Sequence, residues 1–311
     1  MKSEQNFNIE SGKEKENFDS KIFLSFFRHG EKPSKMAEGA GVGIIPESRK
    51  ECIKNAPDFG PENRKDIEQS IGFGASSLRT LETAGFIMGG IKDEITGEEN
   101  LEELKKKLDK EINIGTKLSN EKLLSFAFSK DSEVDQSLIQ AAKKGDWLKF
   151  IVEKSDNMAQ ELKDKKAITY TRISAQVAKL ILKYVNVEKK WDELVKDKEK
   201  EYNPTLERYF SAPAAITAFL AKIIEKVKGE EERSKFEEFL KEGYFGYLDG
   251  FSVEIINPTN GDCNSPHIIV KYHKEDKETG NTYNFQEEIN KDLLEELIDN
   301  GIKFEESINK G

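Results

Sequence analysis

Residues 21–27 carry a nearly continuous apolar run, Ile22-Phe23-Leu24-Ser25-Phe26-Phe27, which ends abruptly in Arg28-His29-Gly30-Glu31. A run of this length reads as a strand buried on both faces at the centre of a sheet. Ile71 to Ala75 reads as a short strand of small residues. It leads into a helix capped by Ser76 or Ser77, with Leu78, Leu81, Ala84, Gly85 and Met88 as its apolar stripe. Ile173, Val177, Leu180, Ile181 and Tyr184 mark an amphipathic helix over 172–186. Leu206 to Ala212 reads as another short strand, and Pro213 opens a helix whose stripe runs from Ala215 to Val227. A second helix covers 230–242. The period then changes to two. Phe251, Val253 and Ile255, then Ile268, Val270 and Tyr272, predict two antiparallel strands with a turn at Asn260-Gly261-Asp262. Tyr283 and Phe285 fit a third strand, and Ile289, Leu293, Leu294 and Leu297 a final helix over 286–299.

Three stretches lack this clarity. Residues 1–19 are polar and charged, and read as a disordered leader. Residues 33–65 hold Pro33, Pro46, Pro57 and Pro61, and predict a long loop with a short helix near 47–54; a helix is expected over 61–70. Residues 93–165 contain no proline and little β signal, and read as an all-helical insertion capping the core. Strands alternating with helices imply an α/β fold. The predicted organisation is one domain over 20–311, with a helical cap at 93–165 and a C-terminal extension at 245–311 made of a β-hairpin and a helix.

Composition narrows the function classes. The 311 residues carry 49 basic and 59 acidic side chains, a net charge of −10, which argues against a nucleic-acid scaffold. The only cysteines, Cys52 and Cys263, make neither a disulfide framework nor a metal cluster, so no metal or other cofactor is expected. No apolar run reaches membrane-spanning length and no signal peptide opens the chain, so a cytoplasmic location without membrane association is expected.

Reactive groups at the carboxyl end of a strand lie where open α/β sheets place their chemistry. A neutral imidazole at His29 can attack, and Arg28 can hold the anion attacked. Arg79 falls in the first turn of a helix, where the dipole already favours anions; by itself it reads as a surface arginine. The order Arg28-His29-Gly30-Glu31, then Ser76, Ser77, Arg79, Thr80, Thr83 and Ala84, resembles the histidine phosphatase superfamily, also called phosphoglycerate mutase-like, over roughly 20–92 and 166–228. The resemblance implies a doubly wound three-layer α/β/α sandwich. It also implies phosphoryl transfer through a phosphohistidine on His29, with Arg28 and Arg79 clamping phosphate.

That family carries a second histidine where a later strand meets a helix. The matching place here is Tyr209-Phe210-Ser211-Ala212-Pro213, with Ala212 at the histidine's position and Ser211 beside it as a phosphate-binding position. Alanine offers no hydrogen bond to the phosphoryl group, and one lost donor of this kind slows a reaction by about a hundred- to a thousandfold. A natural loss, an introduced one or a different alignment all accommodate Ala212. His267 and His273 share one face of the predicted hairpin and read as exposed strand histidines. The family's proton donor is a carboxylate of variable position. Glu82, Asp93 and Glu94 lie in the right part of the chain and no motif singles one out; Glu82 is carried forward as a candidate, against a plain reading as a helix-surface residue. The expectation is a phosphomonoesterase acting on a phosphorylated small molecule or phosphoprotein. The alternatives are a catalytically weak or inactive pseudo-phosphatase that binds phosphate or a phosphorylated partner, and a mutase.

Overall fold

The computed structural model describes residues 18–33, 41–62, 64, 66–110, 117–197, 202–241, 243–258 and 266–310. Among them, seven strands form a single sheet. These are β1 (Phe18–Arg28), β2 (Ser70–Gly74), β3 (Leu118–Asn120), β4 (Thr205–Ala212), β5 (Gly250–Pro258), β6 (His267–Glu275) and β7 (Thr282–Ile289). Their spatial order is β3-β2-β4-β1-β5-β6-β7. The first four run parallel, and β5, β6 and β7 each pair antiparallel with the preceding neighbour.

Eleven α-helices lie among the described residues. They are α1 (Pro46–Asn55), α2 (Leu78–Gly89), α3 (Leu101–Asp109), α4 (Glu133–Lys143), α5 (Trp147–Phe150), α6 (Asp156–Glu161), α7 (Tyr170–Val185), α8 (Glu188–Val195), α9 (Ile216–Lys228), α10 (Glu230–Phe239) and α11 (Lys291–Asn309). A π-helical turn, Ile151–Ser155, joins α5 to α6. No helix among the described residues is long and apolar enough to cross a membrane.

Period two in β1 distributes its side chains between two cores. Ile22, Leu24 and Phe26 join the larger cluster with α7, α9 and the C-terminal strands, whereas Phe27 joins a smaller one with α2 and α3. Helices on both faces make the architecture three-layered, as the resemblance implied. The chain leaves β1 toward α1 and α2 on one face and leaves β4 toward α9 on the other. β1 and β4 are neighbours, so their carboxyl ends flank a topological switch point, where open α/β sheets bind ligands. Just beneath it, Phe73, Phe210, Phe26 and Phe251 form a row across β2, β4, β1 and β5, with ring centroids 5.1, 4.8 and 5.0 Å apart. Each stacked pair adds about 0.5–1.5 kcal/mol beyond its burial and holds the register in which Arg28 lies beside Ala212.

Several elements differ from the sequence reading. β1 begins at Phe18, inside the expected leader; residues 1–17 lie outside the described residues, as does the turn at Asn260-Gly261-Asp262. The described residues of 61–70 hold no helix. Arg64 turns inward, with Nε 2.8 Å from Glu207 Oε2 and its guanidinium 4.6 Å from the Tyr209 ring centroid, and this buried pair pins the stretch against β4. Residues 93–165 are mainly helical but also supply β3, which adds in parallel to β2 at the sheet edge. The final helix starts at Lys291, because Gln286 to Ile289 stay paired with β6 and the Asn290 side chain caps the helix by accepting from Leu293 N–H.

Candidate active site

The site is built where β1 ends. His29 N–H donates to Ala212 O at 3.1 Å and Arg28 N–H to Asp249 O at 2.9 Å, so the last turn of β1 is held by strand ends on both sides. Gly30 N–H donates to Thr83 Oγ1 at 3.0 Å, and the same hydroxyl donates to Arg79 O at 2.7 Å. This one threonine ties the turn to the first turns of α2. Glu31 N–H donates to Ser48 Oγ at 2.9 Å, and a Cβ on Gly30 would lie 2.4 Å from that hydroxyl oxygen, so a side chain there would push aside the hydroxyl that holds the turn.

His29 is 6% exposed. Its Nδ1 lies 2.7 Å from Gly30 O. A carbonyl only accepts, so Nδ1 carries the proton and Nε2 keeps its lone pair. Arg79 Nε–H donates to that lone pair at 3.2 Å. Burial lowers the imidazole pKa from 6.5 to about 3; the Gly30 hydrogen bond opposes this, and the positive charges of Arg79, Arg28 and Lys32 add to it. The result is a neutral imidazole ringed by three cations, a nucleophile in an anion-attracting setting.

Arg79 is placed by the start of α2. Ser77 is the N-cap as expected, but its side chain makes no capping bond. The loop after β1 caps the helix instead, with Arg79 N–H donating to Val42 O at 3.1 Å. Glu82 holds the same loop from below. It is buried, not on the helix surface, and its two carboxylate oxygens accept from Ile44 N–H at 2.8 Å and Arg49 Nη2 at 3.0 Å. Both oxygens being engaged, Glu82 braces the loop that reaches Arg79.

Arg28 is met from the C-terminal side. Its Nη1 donates to Phe245 O at 2.7 Å, and its Cζ lies 5.0 Å from the Tyr244 ring centroid and 4.2 Å from that of Tyr247. The structure thus brings Arg28, His29, Arg79 and the Ala212 backbone together. Ser211 and Ala212 are fully buried, Ala212 within the larger core, so neither side chain reaches solvent. His267 stands opposite Ile256, and Ile256 opposite Lys21, which places it at the far end of the sheet from His29.

No protein-family model and no curated protein matches the chain. Among solved structures the chain is similar to mycobacterial hydrolase 1, at 13% identity and TM-score 0.38, over 79% of this chain and 99% of that one. It is also similar to the phytase from Citrobacter braakii, at 8% identity and TM-score 0.38, over 94% and 99% of the two chains. A phytase from Klebsiella sp. ASR1 gives 8% identity and TM-score 0.36, over 94% and 96%. Likeness at this level carries no functional weight, and the site's own residues must supply the argument.

Sequence reasoning missed the contribution of 244–249. Tyr244, Phe245 and Tyr247 form an aromatic cluster between Gly243, Gly246 and Gly250, an unusual density of rings for a turn. That density is the signal available in the sequence. The reach of the turn to Arg28 depends on β5 pairing with β1, which no local pattern discloses.

Proposed function

We propose that this chain is a phosphomonoester hydrolase of the histidine phosphatase type, with His29 Nε2 as the atom that takes the phosphoryl group. The observation that carries this reading is the state of His29: Nδ1 locked to Gly30 O, Nε2 bearing a lone pair and facing Arg79, and the ring kept neutral to about pH 3. In the first step Arg79 Nε–H turns from Nε2 to a phosphate oxygen, and the freed Nε2 lone pair forms an N–P bond while the ester P–O bond breaks and its electron pair leaves with the ester oxygen. In the second, water attacks phosphorus, the N–P bond breaks back onto Nε2, and the water's proton passes to solvent as phosphate departs. Little covalent work falls to other groups, and Arg79 and Arg28 offset the charge on the equatorial oxygens. The substrate is a phosphorylated small molecule or phosphoprotein.

A second reading is favoured by one observation. Ala212 occupies the strand end beside Arg28, where a further donor would sit, and its buried methyl group offers no hydrogen bond to a phosphoryl group. On that reading the site binds phosphate and turns it over slowly or not at all. Hydrolysis of p-nitrophenyl phosphate in the presence of a chelator, alongside calorimetric titration with inorganic phosphate, separates the two. The enzyme reading predicts turnover that falls about a thousandfold or more in His29→Ala. Phosphate binding without turnover supports the second reading, and neither binding nor turnover contradicts both.

A further inference from the structure

The turn between α10 and β5 stands over the candidate site without having any role in the chemistry described above. Tyr247 is its most telling member. The Tyr247 ring centroid lies 4.2 Å from Arg28 Cζ and 5.9 Å from the His29 ring centroid, at an interplanar angle of 46°. It therefore touches both the phosphate clamp and the nucleophile. Yet Tyr247 is 41% exposed, an uncommon state for a large aromatic residue packed beside a buried imidazole. Part of a side chain that neighbours both Arg28 and His29 thus remains accessible to solvent.

The backbone fixes this placement. Leu248, the next residue, has φ of +56°, in the left-handed region that a leucine rarely adopts. The turn is clamped on both flanks: Phe245 O accepts from Arg28 Nη1 at 2.7 Å, and Asp249 O accepts from Arg28 N–H at 2.9 Å. The Asp249 side chain is paired with Lys274 on β6. Strain of this kind persists only where surrounding contacts over-determine it, and it gathers at sites of function.

The carboxylates point the same way. Glu82 is engaged by Arg49 and Ile44 N–H, and Asp249 by Lys274. These two buried carboxylates next to the site are thus committed elsewhere. An ester whose leaving group departs as a stable anion needs no proton from the protein. Aryl phosphates, which release a phenolate, have that property, and they carry a flat ring suited to an exposed aromatic face.

We infer that Tyr247 is a specificity-determining residue that stacks on the aromatic leaving group of an aryl phosphate, and that aryl phosphates are the substrate class of this site. The inference rests on the hydrolase reading and deepens it. Binding of non-hydrolysable ligands tests it separately from turnover: phenylphosphonate and methylphosphonate share the anionic head and differ in the ring. Calorimetric titration of the full chain should give a Kd for phenylphosphonate about three- to tenfold lower than for methylphosphonate, the range an aromatic pair supplies. Tyr247→Leu should weaken phenylphosphonate about three- to tenfold more than methylphosphonate and so erase that preference, and Tyr247→Phe should retain it. Equal Kd values for the two ligands in the unaltered chain would overturn the inference. So would a Tyr247→Leu variant that weakens both ligands alike, since the ring would then act only by holding Arg28, or one that changes neither. If the unaltered chain binds neither phosphonate, the phosphate-site reading itself fails and the inference goes with it.

Discussion

His29 gathers at one residue most of what the chain implies about chemistry. A histidine's ordinary pKa would leave it partly charged near neutrality, and charged imidazole is no nucleophile. Burial and three nearby cations shift it down to about 3, so the lone pair is present across the physiological range. The same shift affects stability. The folded pKa lies below the unfolded value of 6.5, so the unfolded chain binds the extra proton first. Stability from this group is therefore intact above about pH 6.5 and is lost as pH falls toward 3. His29 is expected to show no imidazole titration by NMR between pH 5 and pH 8. Replacing it in His29→Asn should flatten the fall in denaturant midpoint between pH 7 and pH 4. An ordinary titration near 6.5 would show that the ring is not held neutral. Arg28, His29 and Arg79 were legible in the sequence because motif spacing at strand–helix junctions survives whatever surrounds it. Glu82's burial was not, since it depends on a loop from 38 residues earlier folding back so that Gly43 and Ile44 meet its carboxylate.

At the scale of elements, the strand β2 and the helix α2 are the pair that delivers Arg79. They pack backbone to backbone. A Cβ on Gly74 would fall 2.5 Å from Leu81 N and 2.9 Å from Thr80 C, and neither is a group that can swing aside. Gly74→Ala is therefore predicted to lower stability by about 1–3 kcal/mol through overpacking. Urea denaturation checks this, with a reduced midpoint and an unchanged slope expected. Displacing α2 also moves Arg79 and Thr83, so phosphate affinity should fall in the same variant; unaltered affinity and midpoint would mean that α2 does not set the geometry. The sequence disclosed β2 and α2 through small residues followed by a helical stripe. It misread 61–70, where helix-compatible polar residues yield to the buried ion pair of Arg64 with Glu207. It also ended the last strand early, because polar Gln286-Glu287-Glu288 looks helical until its partner β6 is known.

For the whole molecule, the sheet joins two halves that the sequence presented as core and extension. β5 pairs antiparallel with β1 along the edge opposite β4, so the C-terminal strands complete the sheet rather than hang from it. Their turn then meets Arg28 from the side that β4 leaves open. The α/β class was legible because strand and helix periods alternate, and the three layers were implied by the resemblance carried by Arg28-His29-Gly30 and Arg79. The antiparallel completion across β1 was not, because pairings between residues more than 220 positions apart leave no local trace. A chain of net charge −10 thus concentrates Arg28, Lys32 and Arg79 around one buried imidazole, an arrangement suited to an anion that is to be attacked. The direct measurement is to mix the full-length protein with p-nitrophenyl phosphate, quench in alkali to preserve a phosphoramidate, and read intact mass and peptide masses. The account predicts one phosphoryl group on the peptide containing His29, absent from His29→Asn; turnover that persists in His29→Asn, or a phosphoryl group on any other residue, would contradict it.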